Sequence, residues 1–201
     1  MSNVVDICNL ALAHLGDDAT VSSIDPPEGS AQAEHCARFY PIARDSLLEM
    51  HAWGFATRRA ELAQLITPSW GWSFAYARPA GALRILAVLP PGAKGDAQTE
   101  DYELECDANG KPLIFTNQEQ ASARYTVPVT DPSVFSPLFV DALAWLLASH
   151  LAGPVLKGEA GASMAASCLK LCAQVLGSAR VSDANQQHTQ RPHTPVWIKG
   201  R

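Results

Sequence analysis

Cys168, Cys172, His188 and His193 follow the spacing Cys-x3-Cys-x15-His-x4-His, which satisfies a loose zinc-finger pattern. Two thiolates and two imidazoles at such intervals can close a tetrahedral metal site. The local context points elsewhere. Residues 165–176 carry a helical apolar pattern in which i,i+4 spacing puts both cysteines on one stripe, near Leu169, Val175 and Leu176. A finger needs its cysteines on a β-turn and its histidines on a helix, and Pro192 breaks the second half. The thiols are therefore read as core residues, and the expectation is no metal and no cofactor.

Asp101, Glu103 and Glu105 alternate with Tyr102, Leu104 and Cys106, so their carboxylates share one face of a strand. Paired carboxyls are the equipment of glycoside hydrolysis, although an acidic solvent-facing side produces the same alternation. The sequence contains no phosphate-binding glycine loop, nucleophile-elbow serine or His-Glu-x-x-His. His14, His35, His51 and His150 are scattered without local partners and read as surface or core-edge residues, not general bases. Arg58, Arg59, Arg78, Arg84 and Arg124 could meet phosphate or acidic partners, the plainer reading being solvated strand and helix ends. Trp53, Phe55, Trp70, Trp72, Phe74 and Tyr76 crowd into one stretch. They could stack bases. With an acidic net balance they suit packing at a domain corner or subunit contact better.

The elements that position these residues follow from periodicity. Val4–Leu15 places Val4, Cys8, Ala11 and Leu15 on one helical stripe widened by Ile7 and Leu12, with Asn3 as N-cap, Asp6 in the first turn and Gly16 as the stop. Asp17–Gly29 is a loop. A second helix spans about Ser30–Met50, its stripe Cys36, Tyr40, Ala43, Leu47 and Met50, with Pro41 expected to kink or split it. Then the period changes. Trp72–Ala77, Leu83–Leu89, Tyr102–Cys106, Leu113–Thr116 and Ala123–Val129 read as strands, with Asn109-Gly110 in a hairpin turn. Ser136-Pro137 opens a third helix, apolar on nearly every face over Leu138–Leu151 and stopped by Gly153-Pro154; a fourth fits Ala160–Ala179.

The fold class expected is α+β: a helical bundle of four main helices with an inserted small antiparallel β-sheet domain and an extended C-terminal arm. The divisions are an N-terminal helical pair (1–60), a β-rich insert (61–132), a C-terminal helical pair completing the bundle (133–180) and the arm (181–201). The arm's main apolar content is Val196, Trp197 and Ile198, too little to fold alone. Trp197, flanked by Val196 and Ile198, is a natural anchor on a partner, with Lys199 and Arg201 pairing with acids at the rim.

Composition narrows the partners. The 201 residues are 47% hydrophobic, which excludes whole-chain disorder, and only 17% charged, a deficit expected when surface is buried against other subunits. A net charge of −5 argues against a bulk electrostatic grip on nucleic acid. The start lacks a basic n-region, the longest apolar run, Ala142–Ala148, falls far short of the ~20 residues of a bilayer span, and the five cysteines are odd in number. These observations give an expectation of reduced thiols, no membrane, and assembly in a cytoplasm.

Several of these segments together carry a family resemblance. Ile7-Cys8-Asn9-Leu10-Ala11-Leu12-x-x-Leu15-Gly16 is followed by Tyr40-Pro41-x-x-Arg44-Asp45-x-Leu47-Leu48 and His51-x-Trp53-x-Phe55-Ala56-x-x-Arg59. Trp72 to Tyr76, Leu83-Arg84 and Tyr125-x-x-x-Val129-x-Asp131 come next, then Phe135-x-Pro137-x-Phe139-x-x-Ala142-Leu143-x-x-Leu146-Leu147-Ala148. In order and spacing, over nearly the whole chain, this resembles the tail tubular protein A family of short-tailed bacteriophages, the head-to-tail adaptors. The family's histidine-proline-tryptophan stands here as His51-Ala52-Trp53, a departure that touches a turn.

The resemblance implies a structural virion protein of the neck, assembled in the bacterial host cytoplasm. It implies a twelve-membered homo-oligomeric ring between portal protein and tail nozzle protein, with DNA passing through its channel without sequence-specific binding and the C-terminal arm reaching the portal. Whether tail fibres join the same ring is left open. Two other classes stay in view: a peptidoglycan-degrading virion enzyme using the acidic strand, separable by a zymogram with Glu103→Gln and Glu105→Gln as controls, and a DNA-binding module, separable by salt-dependent duplex retention.

Overall fold

A computed structural model of the chain describes residues 3–66, 71–93, 95 and 98–186. The fold is α+β. Helix α1, Val4–His14, opens on a capping box in which the Asn3 side chain accepts from the Asp6 N–H while the Asp6 carboxylate accepts from the Asn3 N–H. Its expected stripe is buried from Ile7 to Leu15, and Gly16 ends it with φ +74. Helix α2, Ala31–Met50, is capped by Ser30 and runs unbroken through Pro41. Of the kink or split expected at Pro41, the split does not occur. Pro41 forfeits one backbone bond on the exposed side, while Cys36, Tyr40, Ala43 and Leu47 bury continuously on the other; Met50, expected on that stripe, is about half exposed.

After a 3-10 turn at Gly54–Ala56 the described residues form seven strands: β1 (Thr57–Glu61), β2 (Gln64–Leu65), β3 (Phe74–Ala77), β4 (Arg84–Leu89), β5 (Tyr102–Cys106), β6 (Pro112–Thr116) and β7 (Ser122–Thr126). They form two antiparallel sheets, ordered β1-β7-β4 and β2-β3-β6-β5. Ile85, Val88, Ala123 and Tyr125 on the first sheet meet Phe74, Tyr76, Tyr102 and Ile114 on the second, so the insert is a small sandwich, not the one sheet expected from sequence. The expected domain boundary at residue 60 cuts through β1, whose Thr-Arg-Arg-Ala-Glu has no apolar alternation to announce a strand. The Asn109-Gly110 hairpin forms as read. Asp107 accepts from the Asn109 and Lys111 N–H groups, and Gly110 takes φ +77.

Helix α3, Pro137–Leu156, is capped by Ser136 and is the centre of the bundle, buried from Phe139 to Ala152 on nearly every face and packed against α1, α2 and α4. Gly153-Pro154 does not stop it. One missing donor near the end is tolerated, and the helix stops where Lys157 (φ 58) and Gly158 (φ 56) turn left-handed. Helix α4, Gly158–Asn185, returns along α3 and continues through Val181–Asn185, residues expected to begin the extended arm. By length and composition alone α3 and α4 could each cross a membrane; α3 instead forms the buried core of the bundle.

The α3–α4 turn depends on a missing side chain. A Cβ on Gly161 would lie 2.8 Å from the Ala152 carbonyl oxygen and 3.3 Å from the Gly153 Cα, both backbone atoms that cannot swing aside. Gly161→Ala should therefore spread the helix pair and cost about 1–3 kcal/mol. Gly177, on the same helix, has nothing within 4 Å of a built Cβ, so Gly177→Ala should gain up to about 1 kcal/mol from helix propensity. Opposite shifts in thermal midpoint are the check.

Candidate functional site

The residues that chemistry or family pattern singles out converge most densely where the bundle meets the sandwich. Helix α2 hands over to an extended His51, and the chain then turns through Trp53 into the 3-10 turn. Trp53 is fully buried, and its indole N–H donates to the Leu47 carbonyl at 2.8 Å. Phe139 of α3 meets it edge-on, ring centroids 5.0 Å apart; Phe55 lies 5.1 Å from Phe139 and 5.5 Å from Phe135. Four aromatic rings from two segments far apart in sequence thus form one joint.

The last turn of α4 locks this corner. The nearly buried Asp183 accepts the Gly54 N–H at 3.1 Å and lies 3.2 Å from His51 Nε2, an ion pair when the imidazole is protonated. Arg180 Nη2 donates to the Met50 carbonyl at 3.3 Å. Sequence reading missed Asp183 because it assigned that residue to the arm. A signal was present: Cys168, Cys172, Leu176, Ala179 and Asp183 continue one stripe at intervals of three and four.

The other candidates are dispersed. Cys168 and Cys172 are buried on α4, Cys172 Sγ donating to the Ala142 carbonyl at 3.4 Å, and burial pushes both thiols up. His188 and His193 lie outside the described residues, as do Val196, Trp197, Ile198, Lys199 and Arg201. Among the described residues no group of three His, Cys, Asp or Glu side chains is placed to hold a metal. Glu103 and Glu105 share the outer face of β5, exposed, with the Trp72 indole donating to Glu103 at 3.0 Å. The arginines reach backbone carbonyls: Arg58 those of Phe55 and Thr57, Arg59 that of Ala93, Arg78 those of Ala82 and Leu83, Arg84 that of Glu49. Arg124 sits opposite Arg59 on neighbouring strands.

Three histidines are packed, not isolated. His14 of α1 stacks on Trp145 of α3 with centroids 3.6 Å apart, and His35 and His150 flank Phe39. Burial lowers the His14 and His150 pKa below the ordinary 6.5, the Asp141 carboxylate partly opposing it at His14. The unfolded chain then binds protons more readily than the folded one. Their contribution to stability is full above about pH 6.5 and is lost as pH falls below that toward the depressed folded values. Thermal midpoints should drop between about pH 7.5 and 5, and less steeply in His150→Phe.

Comparison with protein-family models and with curated proteins finds no match.

Proposed function

We propose that this chain is a structural head-to-tail adaptor of a short-tailed bacteriophage, a ring-forming protein of the virion neck that joins portal to tail nozzle around the DNA channel. The observation that carries the reading is the aromatic joint. His51, Trp53, Phe55, Phe135 and Phe139, quoted from two separate stretches of the family pattern, come together in contact at the corner where a helical bundle receives its β insert. The alanine standing in place of the family's proline leaves that corner formed. In this reading the chain does no chemistry. Twelve copies surround the DNA, and the net charge of −5 keeps the channel from gripping phosphate.

The C-terminal residues 187–201 supply the portal contact, with Trp197 burying on the order of 200 Å² and Val196, Ile198, Lys199 and Arg201 beside it. Deleting residues 187–201 should leave the melting temperature of bundle and sandwich nearly unchanged. It should also abolish capture by portal-bearing heads, and Trp197→Ala should do much of the same. Undiminished capture of the truncated chain would move the interface to the folded body; failure of the full chain to bind a portal ring at all would overturn the adaptor reading.

A further inference from the structure

We infer that copies of this chain join head to tail through their β sandwiches, strand β1 of one copy pairing with strand β5 of the next. Both strands are outer strands of their sheets and five residues long; the Arg58 side chain reaches the Thr57 carbonyl on the outer edge of β1, and among the described residues no strand pairs with the outer edge of either. An unpaired edge is a template for another strand.

Their charges are opposite. β1 exposes Arg58 and Arg59 beside a single acid, Glu61, whereas β5 exposes Glu103 and Glu105 and is preceded by the exposed Glu100 and Asp101. Among the described residues neither Arg58 nor Glu105 takes part in an ion pair. Arg58 and Arg59 point to opposite faces of β1, so whichever face aligns with the two glutamates brings an arginine beside them. Pairing β5 with a second β5 would set glutamate against glutamate, and β1 with β1 arginine against arginine; both like-charged pairings are disfavoured. The charges thus select the unlike pair.

The two edges also lie on opposite sides of the sandwich. β1 and β2 are joined through Leu62 and Ala63, so both occupy one side. On the other, Glu100 bridges to Val88 of β4 and the Tyr102 hydroxyl donates to the Ile85 carbonyl, which puts β4 and β5 together. A contact using opposite sides of one body is heterologous, the kind that builds rings or filaments. The pairing rests on the edges themselves; only its closure into a ring rests on the adaptor reading.

The test is a charge swap on the full chain, followed by sedimentation velocity. The natural protein should self-associate reversibly and less strongly as salt rises. Arg58→Glu with Arg59→Glu, and separately Glu103→Lys with Glu105→Lys, should each weaken association at least roughly tenfold. Mixing the two variants should restore it, because each then presents the edge the other needs, a recovery misfolded chains could not give. Self-association indifferent to both swaps overturns edge pairing and leaves the adaptor reading standing. So would a natural chain that stays monomeric up to about 1 mM, roughly the weakest association worth the name. Portal capture, measured separately, decides the adaptor reading.

Discussion

Trp53→Ala is expected to cost about 3–5 kcal/mol of folding stability, the largest loss from any single truncation at the corner of the molecule. The side chain is fully buried, so its removal leaves a cavity between α2 and α3 that rings on three sides cannot fill. It also orphans the Leu47 carbonyl at the end of α2. Trp53→Phe separates the two effects. It keeps a ring for Phe55 and Phe139 and loses the indole donor, so about 1–2 kcal/mol of the loss should remain. Urea unfolding midpoints measure both, and a loss under about 1 kcal/mol for the alanine variant would show that the joint is not close-packed.

Leu143→Ala should cost about 2–5 kcal/mol through transfer and cavity terms. Leu143 sits midway along α3 with no exposed surface, in the cluster that gathers side chains from all four helices. Because α3 is apolar on nearly every face, no neighbouring helix can collapse onto the gap without leaving another. Leu146→Ala, at a slightly exposed position of the same helix, should fall toward the lower end of that range. Chemical denaturation of both variants ranks the two sites.

The helices were legible in sequence because a single partner surface fixes their period. Asn3 and Ser136 cap where they were read to cap, and α3 was recognisable as central from its lack of a polar face. Two prolines misled in the same way. Pro41 read as a kink or split and Pro154 as part of a stop, yet each costs one backbone bond, and tertiary packing outweighs that sum. β1 was hidden because an edge strand open on one side need not alternate. The Asp183 lock could be found only once α4 was known to run past Ala179, since a carboxylate at the end of a stripe reads as tail until a donor meets it. The cysteine pair of α4 was legible as core because helical spacing and burial tell one story.

The sandwich begins at Thr57 and ends at Thr126, and those two residues are partners across the β1–β7 ladder. To the helices, then, everything between them is closed like a tight hairpin, whatever its length. Loop closure is charged to the sandwich's own folding, and the bundle meets only a gap one strand wide. A body attached in this way can be lengthened, shortened or exchanged over evolutionary time with little penalty to the scaffold that carries it. Its strand edges are free to change with the neighbours they meet, while the caps and the aromatic joint stay under the constraint of folding.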